Sequence, residues 1–333
     1  MFKRSKTMAG IAMAAALVLT GCGASNTGSG DDSGSGSDET ATQSEWAECD
    51  MTEGVQDVAE VSGEDADKEI SIGAFNGWDE SFATAHLLKA VLEQDGYTVT
   101  IEPYDAAPAY TAVADGSIDL VTDAWLPITH EDYLNEYGDQ MESLGCWYDN
   151  AKLTIAVNED SPAQSIEDLA EMGDEYGNTI VGIEPGAGLT KQTEEKAIPE
   201  YGLDGMTFTT SSTPAMLAAI KASQSNGTNI AVTLWRPHWA YDAFPMRDLE
   251  DPKGAMGGTE FIYSFATDGF SEEHPVASQI VKNLILSDEH LSSLENIMFG
   301  ADNFNGQDND AAVAQWLSEN PDFATQLKAG ELG

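Results

Sequence analysis

The sequence predicts an α/β protein whose folded part consists of two lobes, each a mostly parallel sheet flanked by helices, with a cleft between them. Three observations lead to this. Short apolar runs alternate with amphipathic stretches from about residue 69 to 250, the pattern of βαβ units. The alternation falls into two sets, 69–155 and 178–250, each opening on a strand that leads into a helix and closing on a strand that carries an aromatic residue. Past residue 270 the pattern is helical only.

The first segment reads as an address label. Lys3, Arg4 and Lys6 precede an apolar run, Ile11 to Leu19, too short to cross a bilayer as a mature helix. It ends in Leu19-Thr20-Gly21-Cys22, which resembles a bacterial lipobox. The expectation is a leader over 1–21 and a diacylated Cys22 that holds the chain on the extracytoplasmic face of the cell membrane. More than one acyl chain gives firm anchoring. An ordinary secretory signal with an incidental cysteine is the alternative. Residues 23–45 are Gly, Ser, Asp and Thr with almost nothing apolar, so they cannot bury enough surface to offset their conformational entropy. A flexible tether is therefore expected over 22–68. The chain from residue 69 onward is long enough for proper cores, and no later segment is long and apolar enough to be a transmembrane helix.

Charge excludes several partners. The chain has 14 basic and 58 acidic residues; with three of the basic ones in the leader, 11 remain against 58, a net of −47. Nucleic acid and anionic lipid surfaces are poor partners for such a body. The acidic residues are scattered among apolar positions and read as a solvated surface that stays soluble when salt screens it. Such a surface suits a high-salt habitat, although many exported bacterial proteins share it. With Cys22 lipidated, Cys49 and Cys146 are left as an even pair in an oxidising compartment, to be bridged or to remain two thiols. No Cys/His spacing resembles a zinc site, and no cofactor or metal is expected.

In the folded part, runs at 70–74, 97–102, 118–122, 152–157, 179–183, 206–210, 229–235 and 260–266 read as strands. Helical stretches fall at 81–94, with Phe82, Ala85, Leu88, Val91 and Leu92 on one face, and near 106–115, 190–199 and 213–224. Pro275, Ser287 and Pro321 mark the starts of later helices. Lys152 to Val157 is expected to cross between lobes and the chain to return near 251–260. That gives one lobe of 69–155 plus 255–333 and a second of 156–254.

Three tryptophans follow apolar strand-like runs: Trp78 after 70–74, Trp125 after 118–122 and Trp235 within the end of 229–235. Ligands of open α/β sheets sit outside the carboxyl ends of strands, so three indoles there would form an electron-rich box. A quaternary ammonium, which cannot donate hydrogen bonds, is the usual guest of such a box. Glu184-Pro185-Gly186-Ala187-Gly188-Leu189-Thr190 lies between a strand and a helix. Glycines there let backbone N–H groups face a small anion at the positive end of the helix dipole. It fits neither a P-loop nor a dinucleotide fingerprint, and a plain tight turn would look the same. Thr129 and Asp132 read as a capping pair. His130 would then lie on the first turn, near Trp125, able to donate to a carboxylate.

Four stretches carry a family resemblance: Phe75-Asn76-Gly77-Trp78-Asp79-Glu80, Ala124-Trp125-Leu126-Pro127-Ile128-Thr129-His130, Gly182-Ile183-Glu184-Pro185-Gly186-Ala187-Gly188 and Trp235-Arg236-Pro237-His238-Trp239. With Asp251-Pro252-Lys253 and Gly257-Gly258-Thr259-Glu260, they resemble the substrate-binding proteins of glycine betaine/proline betaine ABC importers across about 69–320. The resemblance implies a periplasmic-binding-protein-like (type II) clamshell. It places a trimethylammonium among Trp78, Trp125 and Trp235, and a carboxylate on His130 with the backbone N–H groups of Gly188 and Leu189. It also implies a monomer that captures glycine betaine or a similar zwitterion for an ABC permease and its cytosolic ATPase. Arg236, Leu234 and Asn76-Gly77 depart from the family pattern. Same-fold binders of choline, carnitine, ectoine or a sulfonium analogue are the alternative. An enzyme is not expected, because no Gly-x-Ser-x-Gly elbow or zinc motif occurs. Trp239 and His238 read as packing residues, and Trp46, Trp147 and Trp316 as structural.

Overall fold

A computed structural model describes residues 46–333. The expected leader, Cys22 and the stretch 23–45 lie outside the described residues. Among the described residues the strands are β1 (Glu69–Phe75), β2 (Thr98–Tyr104), β3 (Leu120–Leu126), β4 (Met141–Asn158), β5 (Thr179–Val181), β6 (Thr207–Thr209), β7 (Ala231–Arg236), β8 (Met246–Asp248) and β9 (Glu260–Thr267). They run in the order β2-β1-β3-β9-β4-β7-β5-β6, with β8 paired to β4.

Pairing is parallel within β2-β1-β3 and within β7-β5-β6. It is antiparallel wherever β4 or β9 takes part. The expected α/β class therefore holds, with an antiparallel pair at its centre. β4 serves both regions: Met141 to Ala151 pairs with β9, and Lys152 to Val157 pairs with β7. The sequence pattern exposes only the second half of this strand. The first half is interrupted by register shifts between Ser143 and Ala151 and by Gly145 at φ +96°, which spoil the period-2 signal. β8 has three residues, too few to read.

Helices cover the sheet where periodicity places them. Asp79–Gln94 buries Ala83, Leu87, Leu88, Val91 and Leu92 and packs against β1, β3 and the helices Asp288–Phe299 and Asn309–Glu319. Ser287 caps the first of these through His290 N–H, 3.2 Å, and Ser212 caps Thr213–Asn226 through Ala215 N–H, 3.3 Å. The single helix expected over 190–199 is Gly188–Gln192, a π-helical stretch Thr193–Ala197 and a final turn Ile198–Tyr201. Pro199 has no N–H for an ordinary helical bond.

One expectation is corrected. Residues 46–68 lie within the span read as tether, yet they are held on the body. Trp46 meets Tyr263 and Phe265 edge-on. Asp65 accepts from Tyr97 Oη–H, Val276 N–H and Ala277 N–H, at 2.6, 2.7 and 3.1 Å. Sparse apolar content hid these attachments, most of which run through polar side chains. Cys49 and Cys146 are bonded, with Cα atoms 6.0 Å apart and a sequence separation of 97. A disulfide typically stabilises a fold by about 2–4 kcal/mol. The double variant Cys49→Ala/Cys146→Ala is expected to lose that amount in urea unfolding. An unchanged midpoint would mean that packing alone pins this segment.

Candidate functional site

The carboxyl ends of four strands meet at one cavity. β1 ends at Phe75, and the turn Asn76-Gly77 delivers Trp78. Gly77 has φ +82°, which strains any other residue, and a Cβ there would sit tightly at 3.0 Å from Glu184 Oε1 and 3.2 Å from Thr213 Cβ. β3 carries Trp125, β7 carries Trp235, and the chain after β5 brings Ala187, Gly188 and Leu189. All six residues singled out from the sequence, Trp78, Trp125, Trp235, His130, Gly188 and Leu189, line this cavity. Glu80, Thr129, Leu153, Ile183 and Ala187 also line it and were not singled out. Glu80 stood in a quoted motif, but an acid in the first turn of a helix reads as a surface residue.

The three indoles are buried. Trp125 Nε1–H donates to Asp123 Oδ1, 2.8 Å. Trp78 lies parallel to the His130 ring, centroids 5.5 Å apart at 7°, and Phe75 meets Trp78 edge-on at 5.1 Å. Trp235 packs edge-on against His238 at 4.6 Å. Arg236, next in sequence, does not line the cavity. Its guanidinium donates to both Asp248 carboxylate oxygens, 2.8 and 3.3 Å, and lies 3.5 Å over the Tyr241 ring. That disposes of a cation beside the box.

His130 differs from its expected setting. It precedes the helix Glu131–Tyr137 as its N-cap rather than lying in its first turn. Thr129 does not cap it, because Thr129 N–H and Oγ1–H both donate to Glu260, as does Ile128 N–H at 3.0 Å. A carboxylate from β9, 131 residues away, outcompetes the local pairing. His130 is fully buried. Its Nδ1 accepts from Trp125 N–H, 2.9 Å, and meets Tyr110 Oη at 3.1 Å. Accepting there assigns the ring proton to Nε2, which has no protein partner. Burial pushes the imidazole down to about 3, so it is neutral at ordinary pH.

Opposite lies the turn from Glu184 to Thr190. Glu184 accepts from Thr213 N–H and Oγ1–H, 2.8 and 2.9 Å, and its carbonyl accepts from Thr190 Oγ1–H, 2.8 Å. A Cβ at Gly188 would lie 2.3 Å from the Thr129 carbonyl oxygen, so only glycine allows this turn to sit against Thr129. The first N–H groups of a helix have no intrahelical acceptor, and Gly188 and Leu189 open Gly188–Gln192.

Next to the indoles four carboxyls lie together: Glu80, Asp123 and Glu295 are buried and Asp79 is half-buried. Asp79 accepts from Trp239 Nε1–H, and Glu295 accepts from Trp239 N–H, 2.9 Å. Trp239 and His238 lie outside the cavity lining, as packing residues do. Desolvation raises Asp79 and Asp123 to about 7. Glu80 and Glu295 rise well above the usual range, through desolvation first and then neighbouring carboxylate charge. Among the described residues no ion pair includes any of the four. No group of His, Cys, Asp and Glu suited to a metal ion is found among the described residues.

Comparison with known proteins places this geometry. A family model for the substrate binding domain of ABC-type glycine betaine transport systems matches residues 68–319. The glycine betaine/carnitine transport binding protein of Listeria monocytogenes is 33% identical over 162 residues, 48% of this chain and 52% of that protein. The match thus spans about half the length of that curated relative. Lactococcal OpuAC in its closed, liganded conformation with glycine betaine is similar at TM-score 0.72 and 29% identity, covering 78% of this chain and 99% of that one. The glycine/betaine/L-proline-binding protein of Borrelia burgdorferi is similar at TM-score 0.72 and 26% identity, covering 79% and 100%.

The buried acids set a pH dependence of stability. Their folded values lie above the ordinary 3.8 for Asp and 4.5 for Glu, so their contribution is full below that range and is lost as pH rises through 7. His130 and His238, both lowered to about 3 from 6.5, contribute fully above 6.5 and lose that contribution below it. Between pH 6.5 and 8 only the acids act. The melting temperature of the ligand-free chain is therefore expected to fall across that window, and to fall less in Glu295→Gln. A flat or rising profile would contradict the burial of these charges.

Proposed function

This chain belongs to the family of substrate-binding domains of ABC-type glycine betaine transport systems, and on that footing we propose that its cavity captures glycine betaine or a related quaternary-ammonium solute. The observation that carries the proposal is the meeting at one cavity of three indoles with a neutral histidine whose Nε2 has no protein partner. Trp78, Trp125 and Trp235 hold the trimethylammonium group by cation–π attraction, worth about 2 kcal/mol or more per desolvated contact. At the other end His130 Nε2–H donates to the ligand carboxylate, joined by the N–H groups of Gly188 and Leu189. A neutral donor suits this task, because it needs no counter-charge once the site is dry.

The segments 69–155 plus 255–333 and 156–254 form the two lobes, which close on the solute from the two sides of β4. The loaded protein then delivers the solute to an ABC permease driven by a cytosolic ATPase. It does so as a monomer, tethered through a lipidated Cys22 on the extracytoplasmic face of the membrane. The family is one of transport binding proteins, and the site holds no nucleophile paired with a base, so no catalytic activity is assigned. Choline fits this cavity less well than a betaine, since it has no carboxylate and leaves His130 Nε2–H unpaired. Carnitine carries both an ammonium and a carboxylate group and is the nearest competitor.

Replacing any one of Trp78, Trp125 or Trp235 by Ala is expected to weaken glycine betaine binding by roughly ten- to a hundredfold in isothermal titration. Unchanged affinity in all three single variants would overturn the box.

A further inference from the structure

Glu80 sits at the floor of the cavity and holds neither end of the solute in the capture proposed for this site. It lines the cavity, is 2% exposed, and its Oε2 has no hydrogen-bond partner. Two further carboxyl oxygens behind it are equally unpartnered, Asp123 Oδ2 on β3 and Glu295 Oε1 on the helix Asp288–Phe299. Asp123 also holds the indole N–H of Trp125, which ties the cluster to the box itself.

We propose that Glu80, backed by Asp123 and Glu295, is the counter-charge of the site, and that entry of a quaternary ammonium expels a proton from this carboxyl cluster to solvent. The inference rests on the capture of a quaternary ammonium by the indole box and adds the group that selects for permanent positive charge. A quaternary nitrogen offers no N–H, so an acceptor oxygen can attract it only as a charge. In a dry site that attraction is strong. Without a cation the same dryness keeps the carboxyls protonated, since burial and mutual repulsion both disfavour their ionised forms.

The groups around Glu80 supply no alternative positive charge. Its own helix brings Asp79, β3 brings Asp123, and the helix Asp288–Phe299 brings Glu295, whose own neighbours include Asp242. The histidines near the indoles, His130 ahead of Glu131–Tyr137 and His238 after β7, are neutral. The balancing charge therefore comes with the ligand, and the proton leaves as the ligand enters.

The test is isothermal titration of the full chain with glycine betaine, in phosphate and in Tris at pH 7.5, with the Kd followed from pH 5.5 to 7.5. The expected result is an enthalpy that differs between buffers by the release of a proton, and a Kd that tightens by up to tenfold per pH unit. In Glu80→Gln the release is expected to vanish and the Kd to become flat with pH, leaving the variant weaker at pH 7.5. Buffer-independent enthalpy and a flat Kd in the unaltered protein would overturn the proposal, and that reading needs no variant to fold. Full proton release persisting in Glu80→Gln would also overturn it. Absence of glycine betaine binding at every pH would instead bring down the capture reading, and this inference with it.

Discussion

The hydrogen bond from the Trp125 backbone N–H to His130 Nδ1 is the interaction on which the rest of the site depends. It occupies one ring nitrogen, so the proton sits on the other, which has no protein partner. It also fixes the plane of the ring against which Trp78 lies parallel. Glu260 holds the intervening turn by taking the N–H groups of Ile128 and Thr129, which frees Thr129's carbonyl to receive Gly188 at close range. The backbone contact thus sets the histidine tautomer and one wall of the box, and Glu260 sets the seat of the opposing turn. Burial does the remaining work, since a neutral imidazole is retained only where solvent is excluded.

Electrostatics divides this chain into two populations of acid. Most of the 58 acidic residues lie on the surface, where water and salt screen them and their worth to the fold is small. Asp79, Glu80, Asp123 and Glu295 are different in kind. Glu80, Asp123 and Glu295 are buried and Asp79 half-buried, none has a basic partner among the described residues, and desolvation raises the pKa of each. An aromatic box beside such a cluster is attractive to a cation in two ways, through the faces of its rings and through the charge that can develop on the carboxyls.

Much of this was legible in the sequence because the decisive signals are local. An indole at the end of an apolar strand lies at the carboxyl edge of a sheet, where ligands bind, and Trp78, Trp125 and Trp235 could be placed on that ground alone. His130 was legible through its spacing from Trp125. What could not be read depends on residues far apart. The Thr129–Asp132 capping pair is locally reasonable but loses to Glu260, which arrives from the other end of the chain. Glu80 looks like any acid in a helical first turn until Glu295 and Asp123 close over it. The first half of β4 is hidden by bulges, and residues 46–68 looked like tether because their attachments are mostly polar.

The most direct test of a cation box joined to a carboxylate site is a tryptophan-fluorescence titration of the chain with glycine betaine, choline and glycine. Glycine betaine should give a saturable change, choline a weaker response and glycine none, because only the first offers both a quaternary ammonium and a carboxylate. A response to glycine equal to that of glycine betaine would contradict the box, and silence toward glycine betaine would contradict the site as a whole.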